Sequence, residues 1–373
     1  MTLHISSAFD GGNIEVADVA GTEARLRIAR DVGDRFLQWF YFRVTGGRDQ
    51  DLVLRIENAG QATYRRGFVG YRAVASTDRE RWRRVRTEFE GGVLTIRDRP
   101  ARDAVWYAYF APYPMTRHLD LIARCQQDPR VRVEDLGPTL DGQDLDLLVC
   151  GRGPRRLWVL ARQHPGETMA EWWAEGFLDR LLDPLDPVSA SLLEGATLYV
   201  VPNMNPDGSR RGHLRTNAVG TNLNRAWLEP SLEASPEVYR VRERMAAAGV
   251  DLCLDVHGDE ELPFNFLAGP EGVPSFSERQ RTLLAAFKTS LAALTPDFQT
   301  ERGYPTAAKG EANLSLCTNY VAETFGCLAM TLEQPFKDTA NRPHDEEGWS
   351  PGRAQRLGRS CVDALHGILP RLA

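Results

Sequence analysis

Two side chains that can bind a metal ion, His164 and Glu167, stand three residues apart in the stretch RQHPGETMAEWW. The apolar run LWVLA precedes them, and a segment rich in helix-forming residues follows. Gly166 lies between the pair and allows the backbone to bend tightly. The pattern predicts a strand-to-helix turn that directs both side chains to one metal ion.

Other apolar runs end in side chains of similar chemistry. Asn205 and Asp207 follow TLYVVP. His257 follows VDLCLDV, and Glu333 follows CLAMTL. The carboxyl ends of parallel strands meet at one edge of a sheet, where α/β proteins bind their ligands. We therefore expect two histidines and two glutamates to meet at this edge.

Two histidines and one carboxylate, with a fourth position for water, form a catalytic zinc site. Zinc can lower the pKa of such a water to about 7, and a nearby base must take the proton. Taken singly, His164 could begin a helix and His257 could be a hydrogen-bonded core residue. Their joint placement favours one zinc ion per chain. The ligands are then His164, Glu167 and His257, and Glu333 is the remaining carboxylate.

A polar stretch, residues 203–227, adds possible contacts for an anionic substrate. Its little apolar content predicts a long loop beside the site, and composition alone favours a solvated one. An arginine fork matches a carboxylate, asparagine adds directional hydrogen bonds, and an arginine near a metal can hold an oxyanion. The arginines and asparagines concerned are Arg210, Arg211, Arg215, Asn217, Asn222, Asn224 and Arg225.

The elements that would position these residues alternate between strands and helices. The predicted strands are LDLLVCG, RRLWVLARQ, TLYVVPNM, VDLCLDVHG and CLAMTLEQ. The predicted helices are RHLDLIARCQQ (capped by Thr116), GETMAEWWAEGFLDRLL, PEVYRVRERMAAAG, SERQRTLLAAFKTSLAAL and GRAQRLGRSCVDALHGIL. This order indicates an α/β domain over residues 116–373, with a mixed, mostly parallel sheet covered by helices on both faces.

Residues 1–115 have a different pattern. Short β-rich runs such as EARLRIAR, FLQWFYFRV and DLVLRIENA are separated by turn residues. Their spacing and alternation predict an antiparallel β-sandwich of about 110 residues. No catalytic constellation is visible in this region, so we expect it to have a structural role or to present substrate.

Composition narrows the class of protein. The 373 residues carry a formal net charge of -6, which disfavours nucleic acid and anionic membranes as partners. The N-terminus lacks the pattern of a signal peptide, and no apolar run reaches the roughly 20 residues of a membrane helix. None of the six cysteines forms a CxxC pair. We expect a cytoplasmic protein without disulfides, whose oligomeric state stays open.

Six motifs occur in one order: HPGE, NPDG, the arginine that follows it, NLNRAW, DVHGD and MTLEQPF. In type and order they resemble the zinc metallocarboxypeptidases, and most closely the cytosolic carboxypeptidase-like subgroup. That subgroup has HPGE at this point and an N-terminal β-sandwich before the catalytic domain. The resemblance therefore extends over nearly the whole chain.

The resemblance implies roles for individual residues. His164, Glu167 and His257 would be the zinc ligands. Arg215 would polarise the scissile carbonyl and stabilise its oxyanion. Glu333 would be the general base and then the acid that protonates the leaving amine. Asn224 and Arg225 would bind the α-carboxylate of the substrate, which would be a peptide or protein C-terminus.

Four further residues are less well defined. Metallocarboxypeptidases place a substrate-binding tyrosine before the catalytic glutamate, and Tyr304 and Tyr320 are both candidates, with Tyr320 more typical of a core position. Asp255, two residues before His257, could orient a ligand or an arginine. Asp259 could support the site, although a surface position is the more ordinary expectation.

The expected reaction is removal of a C-terminal amino acid by a metal-activated water. Relatives in the subgroup remove glutamates from protein tails, which makes glutamate a candidate here. Two alternatives remain open. One is a zinc amidohydrolase of N-acyl amino acids, similar to the aminoacylases. The other is a non-catalytic binding module on the same fold, which the retained Glu333 disfavours.

Overall fold

The structure, a computed structural model, describes residues 3–372. Its N-terminal part consists of two five-stranded sheets. The first has the order β1-β4-β10-β6-β7 and the second the order β2-β3-β5-β9-β8. The strands are β1 (His4–Ser6), β2 (Glu15–Ala20), β3 (Glu23–Arg27), β4 (Tyr41–Thr45), β5 (Leu52–Ile56), β6 (Val74–Ser76), β7 (Arg83–Arg84), β8 (Arg86–Glu90), β9 (Val93–Asp98) and β10 (Ala104–Ala108).

These strands form because alternate side chains are apolar. In β3, Ala24 and Leu26 are buried, whereas the charged residues between them are exposed. The pairing is antiparallel except between β3 and β5, which run parallel. The predicted β-sandwich is confirmed.

The second part contains a seven-stranded sheet in the order β11-β12-β14-β13-β15-β17-β16. Four central strands, β14, β13, β15 and β17, run parallel, and the outer pairings are antiparallel. The sheet is thus mixed and mostly parallel at its centre, as predicted. The strands are β11 (Val131–Asp135), β12 (Asp146–Cys150), β13 (Arg155–Ala161), β14 (Ala196–Val201), β15 (Leu252–Val256), β16 (Phe266–Ala268) and β17 (Leu328–Glu333).

Helices cover both faces of this sheet. Alternate residues of β13 enter two different cores: Leu157 and Val159 pack with α2, α3, α6 and α8, whereas Trp158 and Leu160 pack with α5 and α7. Among residues 3–372 no helix is long and apolar enough to cross a membrane. The helices are α1 (Met115–Cys125), α2 (Met169–Leu181), α3 (Pro187–Gly195), α4 (Pro206–Arg211), α5 (Pro236–Ala248), α6 (Glu278–Leu294), α7 (Cys317–Phe325) and α8 (Pro351–Ile368).

Some local predictions were wrong. Thr116 does not cap α1, because the helix begins at Met115, whose N–H donates to Asp10 Oδ2 at 2.6 Å. The stretch 203–227 is not loop throughout, since α4 forms within it. Asn205 caps this helix through its side chain, and Gly212 ends it with a φ of 71°. Short or half-exposed elements, namely β11, β16, α3 and α7, had no clear apolar pattern.

Candidate active site

The turn between β13 and α2 brings His164 and Glu167 together with His257, which follows β15. His164 Nδ1 lies 2.7 Å from Glu167 Oε1, and His257 Nδ1 lies 2.8 Å from Glu167 Oε2. The two Nδ1 atoms are 3.1 Å apart. All three side chains are buried. Separate strand ends therefore deliver a cluster of three potential ligands to one point.

The donors of this cluster fit a metal ion. His164 Nε2 lies 3.0 Å from Asn222 Oδ1, and His257 Nε2 lies 2.9 Å from Asp255 Oδ2. Protons on both Nε2 atoms satisfy these acceptors, which leaves both Nδ1 lone pairs facing the Glu167 carboxylate. Such an arrangement requires positive charge at its centre, and two imidazoles with a carboxylate are a zinc donor set.

Electrostatics support the same conclusion. Burial, together with the nearby Arg215 guanidinium, lowers the pKa of His164 to about 4, so the ring is neutral at pH 7 as a metal ligand must be. Burial alone would lower the pKa of His257, but Asp255 and Glu167 raise it. The carboxylates of Asp255 and Glu167 therefore favour a positive charge at His257. A bound metal ion can supply this charge in place of a proton.

Glu333 ends β17, the strand next to β15. Val256 and Leu332 are paired across these strands, so the next residues on each, His257 and Glu333, are neighbours at the sheet edge. The Glu333 side chain is buried, and its Oε2 has no hydrogen-bond partner among the described residues. Burial raises the pKa of Glu333 to about 8.

Arg215 points toward the same cluster. Its Nη1 atom lies 3.5 Å from Glu167 Oε1 and 3.7 Å from Glu260 Oε1. Burial would lower the pKa of Arg215, but nearby carboxylates, Glu260 foremost, raise it. The guanidinium is thus a fixed positive charge beside the three ligands.

Arg225 lacks a carboxylate within salt-bridge distance in the part of the chain described. Its Nη1 donates to the backbone oxygen of Asn224 at 2.7 Å. Burial and the charge of Arg215 lower its pKa. The Asn224 side chain is more constrained, since its Oδ1 accepts the Cys317 N–H at 2.9 Å and its Nδ2 lies 3.4 Å from His257 Nε2. Arg225 is therefore an exposed cation at the cleft, available to an anionic ligand.

These groups surround one cleft of about 730 Å³. Its lining includes His164, Glu167, Arg215, Asn224, Arg225 and Glu333, so the structure brings the sequence-predicted site residues to a single cavity, with His257 directly behind. A cleft of this size holds several amino-acid residues of a ligand.

The structure distinguishes the two candidate tyrosines. Tyr304 lines the cleft, and its hydroxyl donates to Asp259 Oδ2 at 2.6 Å. Tyr320 lies in α7, where it packs near Trp227 away from the cleft lining. Asp259 is not a surface residue, because its side chain is buried and also accepts backbone N–H groups. Asp255 contacts His257, the candidate ligand two residues along the chain, as its spacing suggested.

Sequence reasoning missed several residues at the site. Gln163 Nε2 donates to Asp255 Oδ2 at 2.6 Å, and Gln163 Oε1 accepts from Trp227 Nε1 at 2.8 Å. Asn222 was noted as part of the polar stretch and of the NLNRAW motif, but was given no role. Tyr64, from the N-terminal sandwich, and Glu260 line the cleft. Gln163 adjoins His164, Asn222 lies in NLNRAW, and Glu260 follows DVHGD, whereas Tyr64 lies in no motif.

Two family models match the chain. The cytosolic carboxypeptidase N-terminal domain matches residues 5–110, and the zinc carboxypeptidase family matches residues 115–338. An uncharacterised protein of Zymomonas mobilis is 50% identical over 372 residues, which cover 100% of this chain and 98% of that one. Mouse cytosolic carboxypeptidase 6 is 28% identical over 72% of this chain, which spans only 55% of that relative's length.

Solved structures agree with these relatives. A metallo-carboxypeptidase from Burkholderia cenocepacia is 44% identical, with a TM-score of 0.97 over 99% of this chain and 100% of that one. A metallo-carboxypeptidase from Pseudomonas aeruginosa, solved with (2-guanidinoethylmercapto)succinic acid, is 44% identical, with a TM-score of 0.96 over 99% of this chain and 100% of that one. The comparisons confirm the resemblance carried by the six motifs.

Proposed function

The chain belongs to the zinc carboxypeptidase family, and we propose that it removes the C-terminal residue of a peptide or protein with one zinc ion held by His164, Glu167 and His257. The observation that carries this proposal is the convergence of these three ligands with Arg215 and Glu333 at one cleft. The coarser assignment, a metallocarboxypeptidase, follows from the family itself.

The groups in the cleft would have different roles in hydrolysis. Zinc bound by His164, Glu167 and His257, the zinc triad, would act as a Lewis acid that makes an attacking water easier to deprotonate. Glu333 Oε2, which has no hydrogen-bond partner among residues 3–372, takes the proton from that water and later gives it to the leaving amine. Arg215 places its guanidinium beside the developing oxyanion and stabilises it.

Arg225 gives the reaction its requirement for a chain end. Among residues 3–372 its guanidinium has no carboxylate partner, so it can form a charge-assisted contact with an anionic ligand. The terminal α-carboxylate of a peptide supplies that anion. Asn224, which lines the cleft beside Arg225, limits the directions from which this carboxylate can bind. Binding at this point would place the last peptide bond near Glu333 and the triad.

We infer a preference for glutamate as the residue removed. Lys288 also lines the cleft, and its ion-pair partner Glu271 is 4.0 Å away, at the limit of such a contact. A side-chain carboxylate of the substrate would compete well for this ammonium group. If so, peptides ending in glutamate should react at least about tenfold faster than those ending in glutamine. The difference should shrink in Lys288→Gln.

We also infer a cytoplasmic location and a division of the chain after residue 115. All six cysteines are free and buried, which suits a reducing compartment. The last strand of the sandwich ends at Ala108, and the first helix of the second part begins at Met115.

The proposed activity is tested by incubating the zinc-loaded protein with a library of peptides that differ at the C-terminus. Mass spectrometry should show products shorter by one residue, and the same protein carrying Glu333→Gln should form them at least about a hundredfold more slowly. Hydrolysis of N-acyl amino acids without peptide shortening would instead indicate the amidohydrolase. Absence of any hydrolysis would contradict an enzymatic role.

The metal assignment has its own test. Metal analysis of the purified protein should give one zinc per chain, and His164→Ala should lose it because a ligand is removed. His366→Ala, a change in α8 far from the triad, serves as the matched control and should keep its zinc. Full zinc content in His164→Ala would contradict the ligand set.

A further inference from the structure

We propose that the N-terminal sandwich is part of the catalytic apparatus, because its residues Asp31 and Tyr64 hold Arg215 in place at the zinc triad. Both are positioning residues that act through Arg215. The inference rests on the role of Arg215 in the proposed function, and it assigns the sandwich a task that its sequence did not indicate.

Asp31 fixes the backbone that carries Arg215. Its carboxylate accepts the N–H groups of three successive residues, Leu214, Arg215 and Thr216, at 2.7, 2.7 and 3.0 Å. It also accepts the Thr216 hydroxyl at 3.2 Å. Asp31 is only 2% exposed. Charge-assisted bonds to consecutive amides in a buried setting leave this segment little freedom.

The segment held by Asp31 also touches the metal-binding turn. The backbone oxygen of Leu214 accepts the N–H of Gly166, between the ligands His164 and Glu167, at 2.8 Å. Farther along the same segment, Arg35 of the sandwich donates to the backbone oxygen of Gly220 at 3.2 Å. The sandwich thus holds the Arg215 segment against the turn that carries two zinc ligands.

Tyr64 holds the guanidinium end of the Arg215 side chain. The Arg215 guanidinium lies over the Tyr64 ring, 5.2 Å from its centroid. The Tyr64 backbone is itself held by the buried Gln38 side chain, whose amide accepts its N–H at 3.0 Å and donates to its carbonyl at 3.2 Å. The ring is therefore a rigid surface against which the guanidinium packs.

Such support is needed because Arg215 has competing partners. Glu167 Oε1 and Glu260 Oε1 lie 3.5 and 3.7 Å from the same Nη1 atom. Without the ring and the fixed backbone, the guanidinium could close onto either carboxylate and leave the position where an oxyanion develops. The transition state would lose a preorganised charge, whereas substrate binding through Arg225 would change little.

The first experiment measures kcat and KM of the full-length, zinc-loaded protein on a peptide with a free C-terminus. Tyr64→Leu should lower kcat by about five- to thirtyfold, the value of a desolvated cation–π contact, with KM and zinc content nearly unchanged. Tyr64→Phe keeps the ring and should recover most of the lost kcat. Tyr239→Leu, on the surface of α5, is the control and should match the wild type.

A double-mutant cycle decides whether Tyr64 acts through Arg215. Tyr64→Leu should have almost no further effect on kcat once Arg215→Ala is present. An equal loss in both backgrounds would overturn the inference, as would a loss in Tyr64→Phe as large as in Tyr64→Leu. If Arg215→Ala alone keeps wild-type kcat, the failure lies in the proposed role of Arg215.

Hydrogen exchange tests Asp31 directly. Asp31→Asn keeps one acceptor oxygen but loses the charge, so the amides of residues 214–216 should exchange at least about tenfold faster. The same variant should lower kcat at full zinc loading. Asp34→Asn, an exposed change in the same loop, is the control and should alter neither. Unchanged exchange at residues 214–216 in Asp31→Asn would overturn the role given to Asp31.

Discussion

Glu333 illustrates how burial, helped by the nearby carboxylates of Glu167 and Asp259, can prepare a residue for chemistry. Its carboxyl is buried at a strand end, and its raised pKa of about 8 lies near neutral pH. A group that must first accept and then donate a proton works best when its pKa is near the working pH. The fold supplies this property by burying the carboxyl, and none of the described residues donates a hydrogen bond to Oε2.

Glu333→Gln should keep the shape of the site and lose its proton carrier. We expect kcat to fall by about a hundredfold or more, because general base catalysis commonly supplies this factor. Zinc content and thermal stability should stay at wild-type values. Glu278→Gln, exposed at the start of α6, should leave kcat unchanged. A near-normal kcat in Glu333→Gln would exclude this residue as the base.

Arg225 should make the enzyme sensitive to the charge of the substrate terminus. A peptide and its C-terminal amide should differ by at least about tenfold in kcat/KM, because a charge-assisted contact is lost. In Arg225→Ala the difference should shrink, mainly because the free acid reacts more slowly. The exposed Arg210→Ala is the control. Equal rates on acid and amide in the wild type would reject an exopeptidase.

At the scale of elements, buried charges support the turn between β13 and α2. Arg162 has a left-handed φ of 59° and donates to the Pro165 and Tyr113 oxygens at 2.9 and 2.8 Å. It also pairs with Glu171 at 2.6 Å, and Glu171 contacts His118 of α1 at 2.6 Å. Three elements therefore hold the turn that carries two of the proposed zinc ligands.

The His118 contact should make stability depend on pH. Burial alone would lower its pKa, but Glu171 and Asp146 raise it to about 9. Protonated His118 therefore stabilises the folded protein by about 3 kcal/mol. This contribution is complete below the pKa of histidine in the unfolded chain, about 6.5, and is lost as the pH rises through 9.

Urea unfolding at saturating zinc provides the measurement. The stability of the wild type relative to His118→Asn should fall by about 3 kcal/mol between pH 6.5 and 9.5. The exposed His4→Asn should show no such trend. A stability difference between the wild type and His118→Asn that does not change over this range would show that His118 is neutral in the folded protein.

At the scale of the whole molecule, the two parts share buried contacts. The Tyr109 ring stacks on Phe336 with centroids 4.5 Å apart. Arg84 of the sandwich is buried and donates to the backbone oxygens of Phe336 and Trp349 at 2.8 and 3.0 Å. It also donates to the backbone oxygen of Arg72, within the sandwich, at 2.7 Å. Burial lowers its pKa to about 10. The guanidinium thus joins carbonyls from both parts.

Arg84→Ala should lower the free energy of unfolding by about 2–4 kcal/mol, because it leaves buried carbonyls of both parts without a donor. Chemical denaturation of the full-length protein measures this change. The exposed Arg81→Ala should alter stability by less than about 0.5 kcal/mol. An equally small effect for Arg84→Ala would show that water replaces the guanidinium at this junction.

The sequence by itself determined the features that depend on neighbours along the chain. Apolar runs predicted the parallel strands, and residues just past their ends, such as His164, His257 and Glu333, were predicted to meet because strand order places carboxyl ends at one edge. Asn205, noted for its place after a strand and as the first residue of NPDG, proved to cap α4. Thr116 was misassigned because Asp10, distant in sequence, supplies the contact at the start of α1.

The tertiary structure decided what distant segments do for one another. Asp31 accepts the Arg215 N–H across 184 positions of sequence, and Tyr64 meets its guanidinium from the other part of the chain. Neither residue lies in a motif, since a carboxylate or a ring gains its role only from the group that folding brings against it. Tyr304 and Tyr320 were both candidates, with Tyr320 more typical of a core position, and packing places Tyr304 in the cleft and Tyr320 against a core. Side-chain chemistry is local to the sequence, whereas burial and proximity are properties of the fold.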